Sequence, residues 1–157
     1  MIYTAYFGPR STPRENEIVG RFVCDLIWGG RHTVNDFCSM GVFDDDELIA
    51  GVLYHNWYPD NGVVELTSAS TSKRWLTRRV IRAMFHLPFH MLGCQMCLLR
   101  VSERNETMVH IARSFGFDEI YVPRLFGRDE GAYLFTLTDE QWAQSPYNDT
   151  QKAKRSQ

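Results

Sequence analysis

Arg100 to Phe117 reads RVSERNETMVHIARSFGF, and this stretch decides the fold. A strand ending in Val101 gives way to a polar loop that carries Asn105. A short amphipathic helix from Glu106 to Ser114 follows, and Phe115-Gly116-Phe117 closes the unit. The hydrophobic period switches from two to about 3.6 within a few residues, which marks a strand–loop–helix passage.

Working outward, Gln95 to Val101 is the strand that enters this unit, and Gly93 before it suits a helix C-cap. Upstream, Val80, Ile81, Met84, Phe85 and Leu87 recur at helical spacing, and Pro88 kinks or ends that helix by removing a backbone hydrogen bond. The polar loop Thr71 to Arg79 leads into it from a strand over Val63 to Ala69. Tyr58-Pro59-Asp60-Asn61-Gly62 is a turn, and Ser39–Phe43 with Glu47–Trp57 forms a hairpin around Asp44-Asp45-Asp46. Ser11-Thr12-Pro13 opens the first helix, and Gly29-Gly30 stops it. Downstream, Glu119–Val122 and Ala132–Thr138 are strands joined by a loop rich in Arg, Gly and Asp. The order is helix, three strands, helix, strand, helix, two strands. It predicts an α/β protein with a mixed sheet and helices on both faces.

At 157 residues the chain suits one domain, expected over residues 1–142, with a polar, flexible tail over 143–157. A net charge of −2 gives no bulk electrostatic case for nucleic acid or a membrane surface. No apolar run reaches the roughly 20 residues of a bilayer span. The opening MIYTAYFGPRSTPRE lacks the pattern of a signal peptide, so a cytoplasmic location is expected. Cys24 and Cys38 sit in apolar segments as free thiols. Cys94 and Cys97 have CxxC spacing but no second ligand pair, so core packing is expected rather than a metal or redox site. His86 and His90 stand four apart, yet Pro88 lies between them and the Glu of HExxH is missing, so no metal site is expected.

These features together resemble the GNAT N-acyltransferases, over about residues 3–138. The hairpin DDDELIAGVLYH with Gly51 resembles the family's central hairpin, and Val63-Val64-Glu65-Leu66 resembles its fourth strand. Arg74-Trp75-Leu76-Thr77-Arg78-Arg79 stands where the family carries its Arg/Gln-x-x-Gly-x-Gly/Ala pyrophosphate loop, and Asn105 with Gly116-Phe117 completes the set. The resemblance implies a mostly antiparallel sheet of six to seven strands and transfer of an acyl group, acetyl first, from acyl-CoA to an amine. A homodimer is compatible with it.

Two features, at three positions, depart from the family pattern. Thr77 and Arg79 replace the loop glycines that let backbone N–H groups approach phosphate. Thr77 can instead cap the following helix, while Arg78 and Arg79 can bind phosphate through their side chains. The alternative is that cofactor binding has lapsed. Ala112 stands where the family places a tyrosine acid. This degenerate pattern is similar to that of GNAT-like proteins carried by phage particles and mobile elements, which leaves a structural or binding role open. A base-modifying member acting on nucleic acid is permitted by the basic loop and unsupported by the net charge.

In the fold so implied, two parallel strands splay apart and Thr67-Ser68-Ala69 offers backbone groups to the pantetheine amides. Acyl-CoA contacts are then expected from Thr67, Ser68, Ala69, Arg74, Trp75, Leu76, Thr77, Arg78, Arg79 and Asn105. Glu65 is the first candidate base, being the one carboxylate of its strand, although a strand Glu can equally serve as a cross-strand partner. His55 is the second, folded back near Glu65 by the intervening turn. Tyr121 and Tyr133 are candidate replacement acids whose positions the sequence does not fix.

Overall fold

The computed structural model describes residues 1–148. Its strands are β1 (Ile2–Phe7), β2 (Cys38–Asp44), β3 (Glu47–Tyr58), β4 (Val63–Ser70), β5 (Met96–Ser102), β6 (Asp118–Gly127) and β7 (Glu130–Thr138). Its helices are α1 (Pro13–Trp28), α2 (Arg78–His86), α3 (Glu106–Phe115) and α4 (Asp139–Gln144). The strands make one sheet in the order β1-β2-β3-β4-β5-β7-β6, antiparallel except for the parallel pair β4–β5. Helix α2 is the crossover that such a parallel pair requires.

Each face of the sheet carries its own core. On one, Val19, Val23 and Cys24 of α1 pack with Leu53 of β3. Gly51 permits this contact: a Cβ there would fall 2.7 Å from Val19 Cγ1 and 2.8 Å from Val23 Cγ2. The other face carries the larger core, where Val52, Tyr54, Leu66 and Leu99 of the sheet meet Met84 and Phe85 of α2 and Trp142 of α4. Helix α3 ends at Gly116, whose φ of 105° is open to glycine and costly for other residues.

The structure corrects four expectations. β1 is a seventh strand that the element order lacked. It is an edge strand with Ile2 and Tyr6 packed against the larger core, and the β-prone run IYTAYF was its signal. β6 runs past Pro123 to Gly127, because an edge strand tolerates a residue without a ladder N–H. Its ladder shifts register between Val122 and Gly127. The expected Arg/Gly/Asp loop is thereby reduced to a tight turn. Beyond Pro88 the helix does not simply end: Leu87–Met91 forms a π-helical turn. Finally, the polar segment after Trp142 is packed as far as it is described. Thr138 and Gln141 form a reciprocal capping box that starts α4, and Ser145 and Asn148 are buried. The rest of the expected tail, 149–157, lies outside the described residues.

Candidate active site

The parallel pair holds its ladder only from Val63↔Met96 to Leu66↔Leu99. Beyond that point β4 stays with β3 as far as Ala50↔Ser70, and β5 stays with β7 as far as Ser102↔Ala132. The two strands therefore splay, and Thr67 to Ser70 face no β5 partner. Side-chain alternation sends Leu66 and Ser68 to one face of the gap and Glu65 and Thr67 to the other.

On the Ser68 face lies a narrow cleft of about 50 Å³ between α2 and α3. Its lining is apolar apart from Ser68, with Met84, Phe85, Ile111 and Phe115 among its walls. Trp75 and Leu76 of the β4–α2 loop close one side, and Trp75 is buried. Ala112, only 1% exposed, lines the same cleft.

The opposite face is polar. His55 and Glu65 are direct cross-strand partners, 8% and 6% exposed. Thr67 Oγ1 lies 2.7 Å from His55 Nε2, and Glu65 Oε2 lies 3.9 Å from the same nitrogen. Arg100 of β5 brings its Nε to 3.4 Å from Glu65 Oε1 while half its side chain stays in solvent. Asn56 Nδ2 donates to Glu65 Oε1 at 3.1 Å. This last contact comes from an irregularity: the β3–β4 register shifts after His55, and Asn56 adopts a φ of 49°, which asparagine tolerates better than most residues. Burial holds the His55 ring below its ordinary value against the upward pull of Glu65, with Arg100 adding to the depression. The imidazole is thus neutral at neutral pH.

Solved structures share this architecture. A spermidine N-acetyltransferase chimera built from Vibrio cholerae SpeG and hSSAT superposes with a TM-score of 0.69 at 14% identity, covering 88% of this chain and 96% of that one. The dodecameric spermidine N-acetyltransferase of Vibrio cholerae gives 0.61 at 18% identity, over 70% of this chain and 69% of that one. The fold is the GNAT fold. A Chromobacterium violaceum protein grouped with the GNAT-family acetyltransferases gives 0.58 at 22% identity, and the match spans 69% of this chain and 62% of that protein. No protein-family model matches the chain, and no curated protein matches it in sequence.

Within this GNAT fold the remaining expected residues divide. Thr77 caps α2, its Oγ1 accepting from Val80 N at 3.2 Å. Arg74 is exposed at the loop, its N–H donating to Ser72 Oγ at 3.2 Å. Arg78 and Arg79 do not converge. Arg78 donates to the Pro146 carbonyl at 3.0 Å and sits 5.0 Å from the Tyr147 ring centroid, whereas Arg79 lines a groove between α2 and β1. Tyr147 in turn stacks on Phe115 at 5.1 Å, tying the C-terminal segment to α3. Ala69 packs against the α1 core. Asn105 is the N-cap of α3, accepting from Met108 N at 3.2 Å.

The tyrosines lie on the β6–β7 side of β5. Tyr121 donates to Glu103 Oε2 at 2.5 Å, a bond that raises the phenol and lowers the carboxyl. Tyr133 lies under the Arg113 guanidinium, 5.0 Å from its ring centroid. Cys94 and Cys97 are buried, with burial pushing both thiols up. Sequence reasoning missed Arg100 and Asn56. The alternation of β5 was a usable signal for Arg100, since two residues past Leu98, the partner of Glu65, it shares the same face. The bulge that turns Asn56 had no comparable signal.

Proposed function

We propose that this chain is an N-acyltransferase that moves an acyl group, acetyl first, from acyl-CoA to an amine. The observation that carries the proposal is the β4–β5 splay, with an apolar cleft on one face and, on the other, buried His55 and Glu65 beside half-buried Thr67. The pantetheine arm runs through the splay, its amides pairing with the free β4 edge at Thr67, Ser68 and Ala69. The pyrophosphate meets the N-terminal turn of α2, with Thr77, Arg74 and Arg78 nearby. Arg79 belongs to the opposite side of that helix and is left out of the cradle.

An amine with a lysine-like pKa of about 10.4 arrives protonated, so the reaction needs a proton acceptor. His55 supplies it on the polar face, with Glu65 beside it to stabilise the imidazolium. As the C–N bond forms, a β4 backbone N–H holds the developing oxyanion, and CoA leaves as a thiolate. With Ala112 in place of a tyrosine, the sulfur lacks that general acid, at a cost of about 10²–10⁴-fold where such help operates.

Two observations favour a second reading, a GNAT fold kept for binding or structure: Arg78 is engaged by Pro146 and Tyr147, and the loop lacks glycines. Release of CoA thiol from acetyl-CoA, measured against a panel of primary amines and polyamines, separates the two. Amine-dependent release supports the enzyme. Binding of CoA without release at any pH supports the second reading.

A further inference from the structure

The proposed proton acceptor has an access problem. His55 is 8% exposed, and its Nε2 faces Thr67 Oγ1 at 2.7 Å, so an attacking amine in the splay cannot reach the ring directly. Glu65 is 6% exposed and already engages Asn56 and Arg100. Thr67 is the half-buried member of this group. It is also the first β4 residue beyond the Leu66↔Leu99 end of the ladder, where the freed backbone edge begins.

We propose that the Thr67 hydroxyl is a proton relay: it takes the proton shed by the attacking amine as it passes its own proton to His55 Nε2. This rests on the acyltransfer reading given above. The steps balance. The ammonium first gives one proton to solvent, and the lone pair so freed forms the C–N bond while the C–S pair leaves with sulfur; the proton then shed by that nitrogen goes to Oγ1, and the hydroxyl proton goes to Nε2. The imidazolium then returns its proton to solvent or to the thiolate. The relay requires the tautomer with the proton on Nδ1, leaving Nε2 as acceptor.

The surroundings fit this task. Glu65 on β4, 3.9 Å from Nε2, stabilises the imidazolium once formed, and Arg100 on β5 holds that carboxylate in place from 3.4 Å. Helix α1 packs on this face through Val19, Val23 and Cys24, so the charged groups acting on the ring are Glu65 and Arg100. Burial keeps the ring neutral, ready to accept. Thr67 touches the substrate and is the catalytic residue. Glu65 acts through His55 and is a positioning residue.

Two measurements test the relay. Side-chain ¹⁵N NMR of the full chain without ligand reads the His55 tautomer: a bare Nε2 in the wild type, altered in Thr67→Val, supports the relay, and a protonated Nε2 overturns it. Acyl transfer from acetyl-CoA to the best amine of the panel reads the kinetics. Thr67→Val should lower kcat about 10²-fold, erase the acid limb of the kcat–pH profile and leave calorimetric CoA affinity unchanged, with Thr67→Ser restoring both rate and limb. Full kcat with the same acid limb in Thr67→Val overturns the relay while the acyltransfer reading stands. A wild type that binds acetyl-CoA and acylates no amine removes both.

Discussion

The two faces of β4 are built on opposite principles. Leu66 and Ser68 look into an apolar cleft walled by helices, while Glu65 and Thr67, one residue out of phase, join the buried His55 and the exposed Asn56 and Arg100 in a polar group. The apolar face gains its stability from area and aromatic packing, which tolerates approximate geometry. The polar face gains little net stability and depends on each partner being present, because an uncompensated buried carboxylate or imidazolium is costly. Proteins keep such arrangements at sites where perturbed titration is useful, and the proposed chemistry uses this asymmetry.

The largest effect expected is on the apolar face. Trp142 is 2% exposed and touches Phe85, Phe89 and Phe115, so Trp142→Ala should cost about 3–5 kcal/mol in chemical denaturation. If the faces are independent, the His55 titration of the surviving fold is unchanged; a shifted His55 breaks the comparison. Next comes Glu65→Gln, which should lower kcat about 10²-fold with little change in CoA affinity. Full activity across the pH range would remove Glu65 from the mechanism.

Arg100→Ala should destabilise by about 1–2 kcal/mol, less than for a fully buried pair because its guanidinium is half in water. It should also raise the His55 pKa, since Arg100 helps to depress it. The smallest effect is the pH dependence of stability. The folded His55 pKa lies below the ordinary 6.5, so the unfolded chain binds the proton more readily. Stability from this residue is complete above 6.5 and falls as pH drops towards the folded value. His55→Gln should flatten that part of the unfolding curve, and an unchanged slope would show that the ring is not buried neutral.

Much of this fold was legible in the sequence because its signals are local. Pro13 and Gly29 bracket α1, and the passage from Val101 through Asn105 to Gly116 gave strand, cap, helix and terminus. β1 and α4 were missed although IYTAYF and the Thr138–Gln141 box were present, because a single short element at either end has no neighbour in sequence to pair with. The β6 extension was missed because Pro123 is read as a breaker unless the strand is known to lie at an edge, a fact of topology. In the site, His55 and Glu65 were legible from the hairpin register and strand alternation. The separation of Arg78 from Arg79 was not, since adjacent helical residues diverge by about 100° and only the packing of α2 decides what each one meets. Asn56 depends on a bulge, a local slip of register that no periodicity announces.

The central claim is that the splay between β4 and β5 receives acyl-CoA. Calorimetric titration of the purified chain with acetyl-CoA and with CoA tests it most directly, alongside Ser68→Trp, which fills the cleft. The account predicts micromolar binding of both ligands by the wild type and its loss in a Ser68→Trp variant that keeps native circular dichroism. No detectable binding at millimolar ligand, or equal binding by the cleft-filled variant, would contradict it.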